Sequence, residues 1–179
     1  PVSMEKLLSS TAEVLSQSAI GEDACSHLLE SIPTLIETVE NFEISAQQKK
    51  ILVIQSEEGL DKAAWARAIH SKHLSRDIGF KKIGSSQKES RSDQKNNNLY
   101  QALDNEEPTT IFISDIKNLP NDERVAISKK LIASSRNRAA KIFIGTEDPD
   151  EASFLGEQNT ILLEIPPLRN MLKDIPQML

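Results

Sequence analysis

Residues Ser56-Glu57-Glu58-Gly59-Leu60-Asp61-Lys62-Ala63 stand where a chain could bind a polyphosphate. They follow Ile51 to Ile54, four apolar residues that read as a short buried strand, and precede Trp65 to His70, which read as the body of a helix. A phosphate-binding loop in this position has the pattern G-x-x-x-x-G-K-[ST]. Its glycines let backbone N–H groups curl around the phosphates, and its lysine reaches them as a point charge. Lys62 is in place, but Ser56 and Asp61 stand at the two glycine positions and Ala63 at that of the hydroxyl residue. Glu57, Glu58 and Asp61 bring three carboxylates to where a polyanion would sit. Glu58, Gly59, Leu60, Asp61, Lys62 and Ala63 are thus a nucleotide-binding loop in degenerate form. Two roles for Lys62 stay open: contact with a phosphate, or pairing with a neighbouring carboxylate.

A second constellation is Ile113-Ser114-Asp115. An apolar strand that ends in an acid can hold Mg²⁺ beside a nucleotide, and a second acid can orient the attacking water. Ser114 takes the first acidic position and Asp115 the second, one methylene shorter than glutamate. A hydroxyl is a weak Mg²⁺ partner, and Asp115 reads equally as the start of the turn before Lys117-Asn118-Leu119-Pro120. The three histidines, His27, His70 and His73, form no H-E-x-x-H pattern. His70 and His73, at i and i+3 of one helix, are expected on a solvated face rather than as a metal pair. Cys25 is the single cysteine, which excludes a disulfide framework or a Cys-based zinc site within the chain; it reads as a small buried hydrophobe. No catalytic residue and no metal ligand is assigned.

These residues need a scaffold, and the hydrophobic pattern supplies one. Ile51–Ile54, Thr109–Ser114, Ile142–Gly145 and Thr160–Ile165 read as strands, with a weaker one over Phe80–Ile83. Four consecutive apolar residues without alternation suit a parallel strand covered on both faces. Helices are expected over Ser3–Ser18, closed by Gly21, and over Asp23–Asn41, kinked or divided at Pro33. Two more are expected over Lys62–Leu74, with Trp65, Ala68 and Ile69 inward, and from Pro120 to about Ser134, with Val125, Ile127, Leu131 and Ile132 apolar. Gly84 to Asn98, rich in Ser, Lys, Gln and Asn, reads as a loop. Strands separated by helices at this spacing predict an α/β domain with a parallel sheet.

A length of 179 residues suits one compact domain with an appended helix. The start at Pro1, without a signal-like apolar region, points to a piece of a larger cytoplasmic protein, and no run reaches the length of a membrane span. The net charge of −6 is uneven. Residues 1–61 carry 3 basic and 11 acidic residues (−8), residues 62–100 carry 9 and 3 (+6), and residues 101–179 carry 9 and 13 (−4). The basic middle, with Arg67, Lys72, Arg76, Lys81 and Lys82, could meet an anionic ligand such as a nucleotide second messenger.

Taken together, the segments resemble the central AAA+ domain of bacterial enhancer-binding proteins, the sigma-54-dependent transcription activators of the nitrogen-regulator type. The resemblance covers residues 20–179 and rests on three stretches in the family's order. Ala66-Arg67-Ala68-Ile69-His70 resembles its "VARAIH". Thr110-Ile111-Phe112-Ile113-Ser114-Asp115-Ile116 with Leu119-Pro120 resembles "GTLFLDEIGELP". Pro166-Pro167-Leu168-Arg169 followed by Asp174-Ile175-Pro176 resembles "PPLRER–EDIP". The resemblance implies a P-loop NTPase-like, three-layer α/β/α domain whose helical lid is largely absent, preceded by a linker helix at residues 1–19.

Its departures fall on the catalytic positions. GESGTGKE is replaced by Ser56 to Ala63, the Asp-Glu pair of Walker B by Ser114-Asp115, and the sensor asparagine by Glu147. The arginine-bearing segment is shortened to Leu155-Gly156-Glu157-Gln158-Asn159, and the GAFTGA loop has no counterpart between Phe80 and Thr110. The expectation is a pseudo-ATPase module of a bacterial transcriptional regulator with sigma-54 engagement lost, lying between a receiver or sensory domain and a helix-turn-helix. Its expected partners are a second copy, as a dimer rather than a hexamer, and, in the full-length regulator, RNA polymerase and DNA through a C-terminal domain. No cofactor is expected; ATP or ADP with Mg²⁺ belongs to the alternative of a slow ATPase, and a different ligand in the altered cleft, such as a nucleotide second messenger, to another.

Overall fold

The structure is a computed structural model that describes residues 19–46, 50–73, 78–84, 99–104, 109–114, 116–137 and 141–170. The expected helix at Ser3–Ser18, Asp115, Arg76 and the Asp174-Ile175-Pro176 stretch lie outside the described residues. So does all of the expected loop except Gly84.

Helices α1 (Ala19–Ser31) and α2 (Pro33–Ala46) lead into strand β1 (Ile51–Gln55), helix α3 (Lys62–His73) and strand β2 (Gly79–Ile83). After a helical stretch at 99–104 come β3 (Thr109–Ile113), α4 (Asn121–Asn137), β4 (Ile142–Thr146) and β5 (Thr160–Glu164). The five strands form one sheet in the order β2-β3-β4-β1-β5, and every pairing is parallel. Parallel neighbours cannot be joined by tight turns, so helices and long connections must cross the sheet and cover it.

Alternation along the strands sorts the core into two layers. Leu52, Ile54, Phe112, Phe143 and Leu163 face α1, α2 and α3, where Leu28, Leu35, Phe42, Trp65 and Ile69 meet them. Phe42 stacks edge-on against Phe143 at 5.6 Å between ring centroids. Ile51, Val53, Ile111, Ile113, Ile142 and Ile144 face the other way, onto Leu99 and Leu103, Ile127 and Leu131 of α4, and Ala152 and Leu155. The protein is therefore a three-layer α/β/α sandwich over an all-parallel sheet. Strands buried on both faces explain why β1, β3 and β4 read as unbroken apolar runs.

Pro33 divides the expected Asp23–Asn41 helix, as its missing N–H requires. Ile32 is the hinge, and Pro33 opens α2 at the position where a helix tolerates proline. Gly21 is a correction: it lies inside α1 rather than ending a helix. A glycine costs a helix about 1 kcal/mol, which the burial of Cys25, Leu28 and Leu29 further along α1 offsets. Val125 is a second correction, for it stands 63% exposed on α4 while Ile127 and Leu131 carry that helix's packing. His70 is a third. The solvated face expected for it is instead packed on the sheet, leaving His70 8% exposed. Alanines at 63, 64, 66 and 68 let α3 settle close to the strands and widen its buried stripe beyond Trp65 and Ile69. The His70 ring reaches Thr110 Oγ1 at 3.1 Å through Nδ1 and the Ile78 carbonyl at 2.9 Å through Nε2. The carbonyl can only accept, so Nε2 donates and, in the neutral imidazole, Nδ1 accepts from the Thr110 hydroxyl.

Candidate functional site

A cleft of about 170 Å³ opens at the carboxyl ends of the strands, between the start of α3 and the ends of β3 and β4. This is where an open parallel sheet offers a ligand site, outside the point at which successive connections diverge. From β1 the chain departs toward β2 at one edge, whereas from β4 it passes over β1 to reach β5. Leu60, Asp61, Lys62 and Ala63 form one wall; Ser114, Lys117 and Lys82 another; Gly145, Thr146, Glu147 and Glu151 the third, with Phe112 beneath.

The loop after β1 turns at Gly59, whose φ of +88° favours a residue without a side chain. Asp61 then caps α3. Its Oδ1 accepts from the backbone N–H of Ala63 at 3.0 Å and of Ala64 at 3.3 Å, and its Oδ2 lies 3.5 Å from the Arg67 guanidinium. Those N–H groups at the positive end of the helix dipole are the donors that an external anion would use. A carboxylate of the chain itself now takes them. The other two acids of the loop do not gather at this place: Glu57 pairs with Arg169 at 3.2 Å and Glu58 is exposed. Ser56 is buried, donating its N–H to the Thr146 carbonyl at 3.2 Å and its hydroxyl to the Glu57 carbonyl at 3.3 Å.

Lys62 pairs with a carboxylate, but from the far side of the cleft. Its Nζ lies 3.6 Å from Glu147 Oε1, and its side chain is only 13% exposed. Glu147 Oε2 also accepts from Lys117 at 3.3 Å. Partial burial pushes the Glu147 carboxyl upward, but the Lys117 hydrogen bond and the charges of Lys62 and Lys117 outweigh this and hold it below its ordinary 4.5. The register explains the meeting, since Ile54 lies opposite Gly145 and Gln55 opposite Thr146. Gly145 is required for it: a Cβ there would stand 2.6 Å from Phe112 Cζ and 3.1 Å from Lys62 Cβ.

Ser114 lines the cleft but is turned to its neighbour strand. Its N–H donates to the Ile83 carbonyl at 2.9 Å, and its hydroxyl reaches the same oxygen at 3.4 Å. Gly84, at φ +112°, lets the two approach, since a Cβ there would fall 2.5 Å from Ser114 Oγ. The structure thus places Lys62, Ser114 and Glu147 around one cleft.

Sequence reasoning missed Lys117, Thr146 and Glu151 as cleft residues, and named Lys82 only as one of the basic stretch. The single Thr146 hydroxyl proton faces two acceptors, the Asp148 carbonyl at 2.7 Å and the Glu151 carboxylate. The Asp148-Pro149 pair was a readable helix-start signal for the 3₁₀ segment Pro149–Leu155 that carries Glu151. Among the described residues, no three His, Cys, Asp or Glu side chains gather to hold a metal, and no helix is long and apolar enough to cross a membrane. Compared with known families and curated proteins, the sequence matches neither a family model nor a curated relative.

Proposed function

We propose that this chain is a degenerate AAA+ domain of a bacterial transcriptional regulator, serving as an oligomerisation or signal-relay platform without hydrolysing ATP. One observation carries the reading: the chain's own carboxylates occupy the places a nucleotide phosphate would need. Asp61 takes the N–H groups at the start of α3, and Glu147 takes Lys62. The convergence of the three motif positions on one cleft supports the AAA+ part. Lys62 follows β1, Ser114 ends β3, and Glu147 follows β4, the strand between them.

The residues do not fit a Mg²⁺-nucleotide. The cation position receives a serine hydroxyl directed at the Ile83 carbonyl, and a nucleotide would have to displace Asp61 and Glu147 together. In this reading the domain pairs with a second copy as a dimer, and contact with RNA polymerase and DNA belongs to the full-length, cytoplasmic regulator. Calorimetric titration with ATP and with ADP, each with Mg²⁺, tests it. The expected result is no binding at millimolar ligand. Micromolar binding that Lys62→Ala abolishes would instead establish a nucleotide site and revive the slow ATPase.

A further inference from the structure

The sheet ends on two unlike edges. At one, β2 exposes Lys81 and Lys82, the kind of charged side chain by which an edge strand keeps other chains away. At the other, β5 reads Thr160-Ile161-Leu162-Leu163 before its one charge, Glu164. Leu163 is buried and Ile161 packs on the same layer, against α2, whereas Leu162 stands 44% exposed. Among the described residues, β1 is the one strand beside β5. The Ile165 N–H donates to the Gln55 carbonyl at 2.8 Å. Alternate residues of a parallel strand bond to the same neighbour, so Ile161, Leu163 and Ile165 turn their peptide groups to β1. Those of Leu162 and Glu164, with the Thr160 carbonyl, are left on the outer edge; the Thr160 N–H goes to the Glu157 carbonyl.

We infer that β5 is the surface through which two copies of this chain pair, edge to edge and antiparallel about Leu162. This pairing rests on the reading above, in which the domain forms a dimer, and names the surface. In that register the strand is complementary to itself. Leu162 meets its own counterpart and exchanges both backbone bonds with it, and each Glu164 N–H donates to the opposite Thr160 carbonyl. Ile161 faces the counterpart of Leu163, apolar against apolar, and Thr160 that of Glu164, so no carboxylate faces another. At about 3.4 Å per residue the two Glu164 positions lie roughly 14 Å apart, beyond the screening length of about 8 Å at physiological salt. The same construction on β2 would set Lys81 against Lys81, so the two edges are not equivalent. One feature opposes the pairing: α2, which packs on β5, exposes Glu37, Glu40 and Glu43 and carries no basic residue. Both copies of α2 come to the same side of the joined sheet, so salt should favour the dimer. A five-residue edge falls short of the roughly 1,200–2,000 Å² of a standard interface, which places dissociation near about 0.1 mM.

Analytical ultracentrifugation of the full chain over a concentration series, without nucleotide, tests the pairing. Wild type should dimerise, and more tightly in about 0.5 M than in about 0.05 M potassium chloride. Leu162→Lys sets two ammonium groups on the axis and should weaken the dimer about tenfold or more, while circular dichroism shows the fold retained. Val125→Lys, at an exposed apolar position on α4, should leave the dimer unchanged. Amide hydrogen exchange of wild type should slow at Leu162 and Glu164 as concentration rises. A chain that stays monomeric to about 1 mM overturns the inference. So does a dimer that salt weakens, or one without slowed exchange at those two amides. A dimer that Leu162→Lys leaves intact overturns this surface while the dimer itself stands. Micromolar Mg·ATP binding would overturn the non-catalytic reading and leave the pairing untouched, so the failures are distinguishable.

Discussion

The interior of the sheet and the rim at its carboxyl end are built on opposite terms. Inside, Leu52, Ile54 and Phe143 on one face and Ile51, Val53, Ile142 and Ile144 on the other pack in apolar clusters, so each position is set by volume and face. At the rim, Lys62 and Lys117 meet Glu147 by charge from separate elements, and Asp61 is held by the N–H groups of Ala63 and Ala64 and by Arg67. The interior supplies stability that does not depend on pH or salt. The rim's exposed ion pairs supply little stability. In this chain the first region builds the parallel α/β scaffold, while the polar groups of the second are engaged by the chain's own side chains.

Substitutions can separate the two regions, beginning in the interior. Trp65, 2% exposed on α3, should cost about 3–5 kcal/mol on truncation to alanine. Denaturant unfolding should show it as a lower midpoint. Gly145→Ala stands where the regions meet, and its Cβ would press on Phe112 and Lys62. Overpacking of that kind costs about 1–3 kcal/mol, and a thermal melt should register it. Asp61→Ala removes the cap of α3 and should cost about 1 kcal/mol. Asp61→Gly, which frees the same N–H groups while retaining a residue helices accept at a cap, should cost only a few tenths. Equal losses in the two variants would mean that the cap is not what Asp61 contributes.

The smallest effect is expected at Glu147. Its pairs with Lys62 and Lys117 are solvent-screened, so Glu147→Gln should cost less than about 1 kcal/mol at neutral pH. The pH dependence is more telling than the size. Glu147 titrates below 4.5 in the folded state, so its contribution is complete above pH 4.5 and is lost as pH falls through the folded value. The gap between wild type and Glu147→Gln should therefore be present at pH 7 and close in acid. A gap that stays constant down to pH 2 would show that the carboxylate's charge is not involved.

Much of the interior was legible in the sequence, because burial on both faces writes itself as runs such as Ile51–Ile54 and Thr109–Ile113. Pro33 announced the break between α1 and α2 by chemistry that no packing can overrule. His70 was not legible: its period on α3 marks a boundary position, and only the placement of Thr110 and the Ile78 carbonyl makes that position interior. At the rim, the degenerate loop could be read residue by residue, including the possibility that Lys62 would pair with an acid. The identity of that acid could not. Lys62 and Glu147 meet only because β1 lies beside β4 in a particular register, a fact that resides in the sheet and not in local spacing. Lys117 was hidden for the same reason.

Glu147 is attached to the chain that carries the lysines it neutralises, and this has a consequence for how the cleft behaves on dilution. A diffusible counterion leaves as its concentration falls, whereas a tethered group keeps an effective concentration set by geometry alone. The charge of Lys62 is therefore quenched equally in a dilute and a crowded solution, and an incoming anion must outcompete a fixed local supply of carboxylate. Such competition lowers the apparent affinity of any entering anion by one constant factor, whatever the protein concentration.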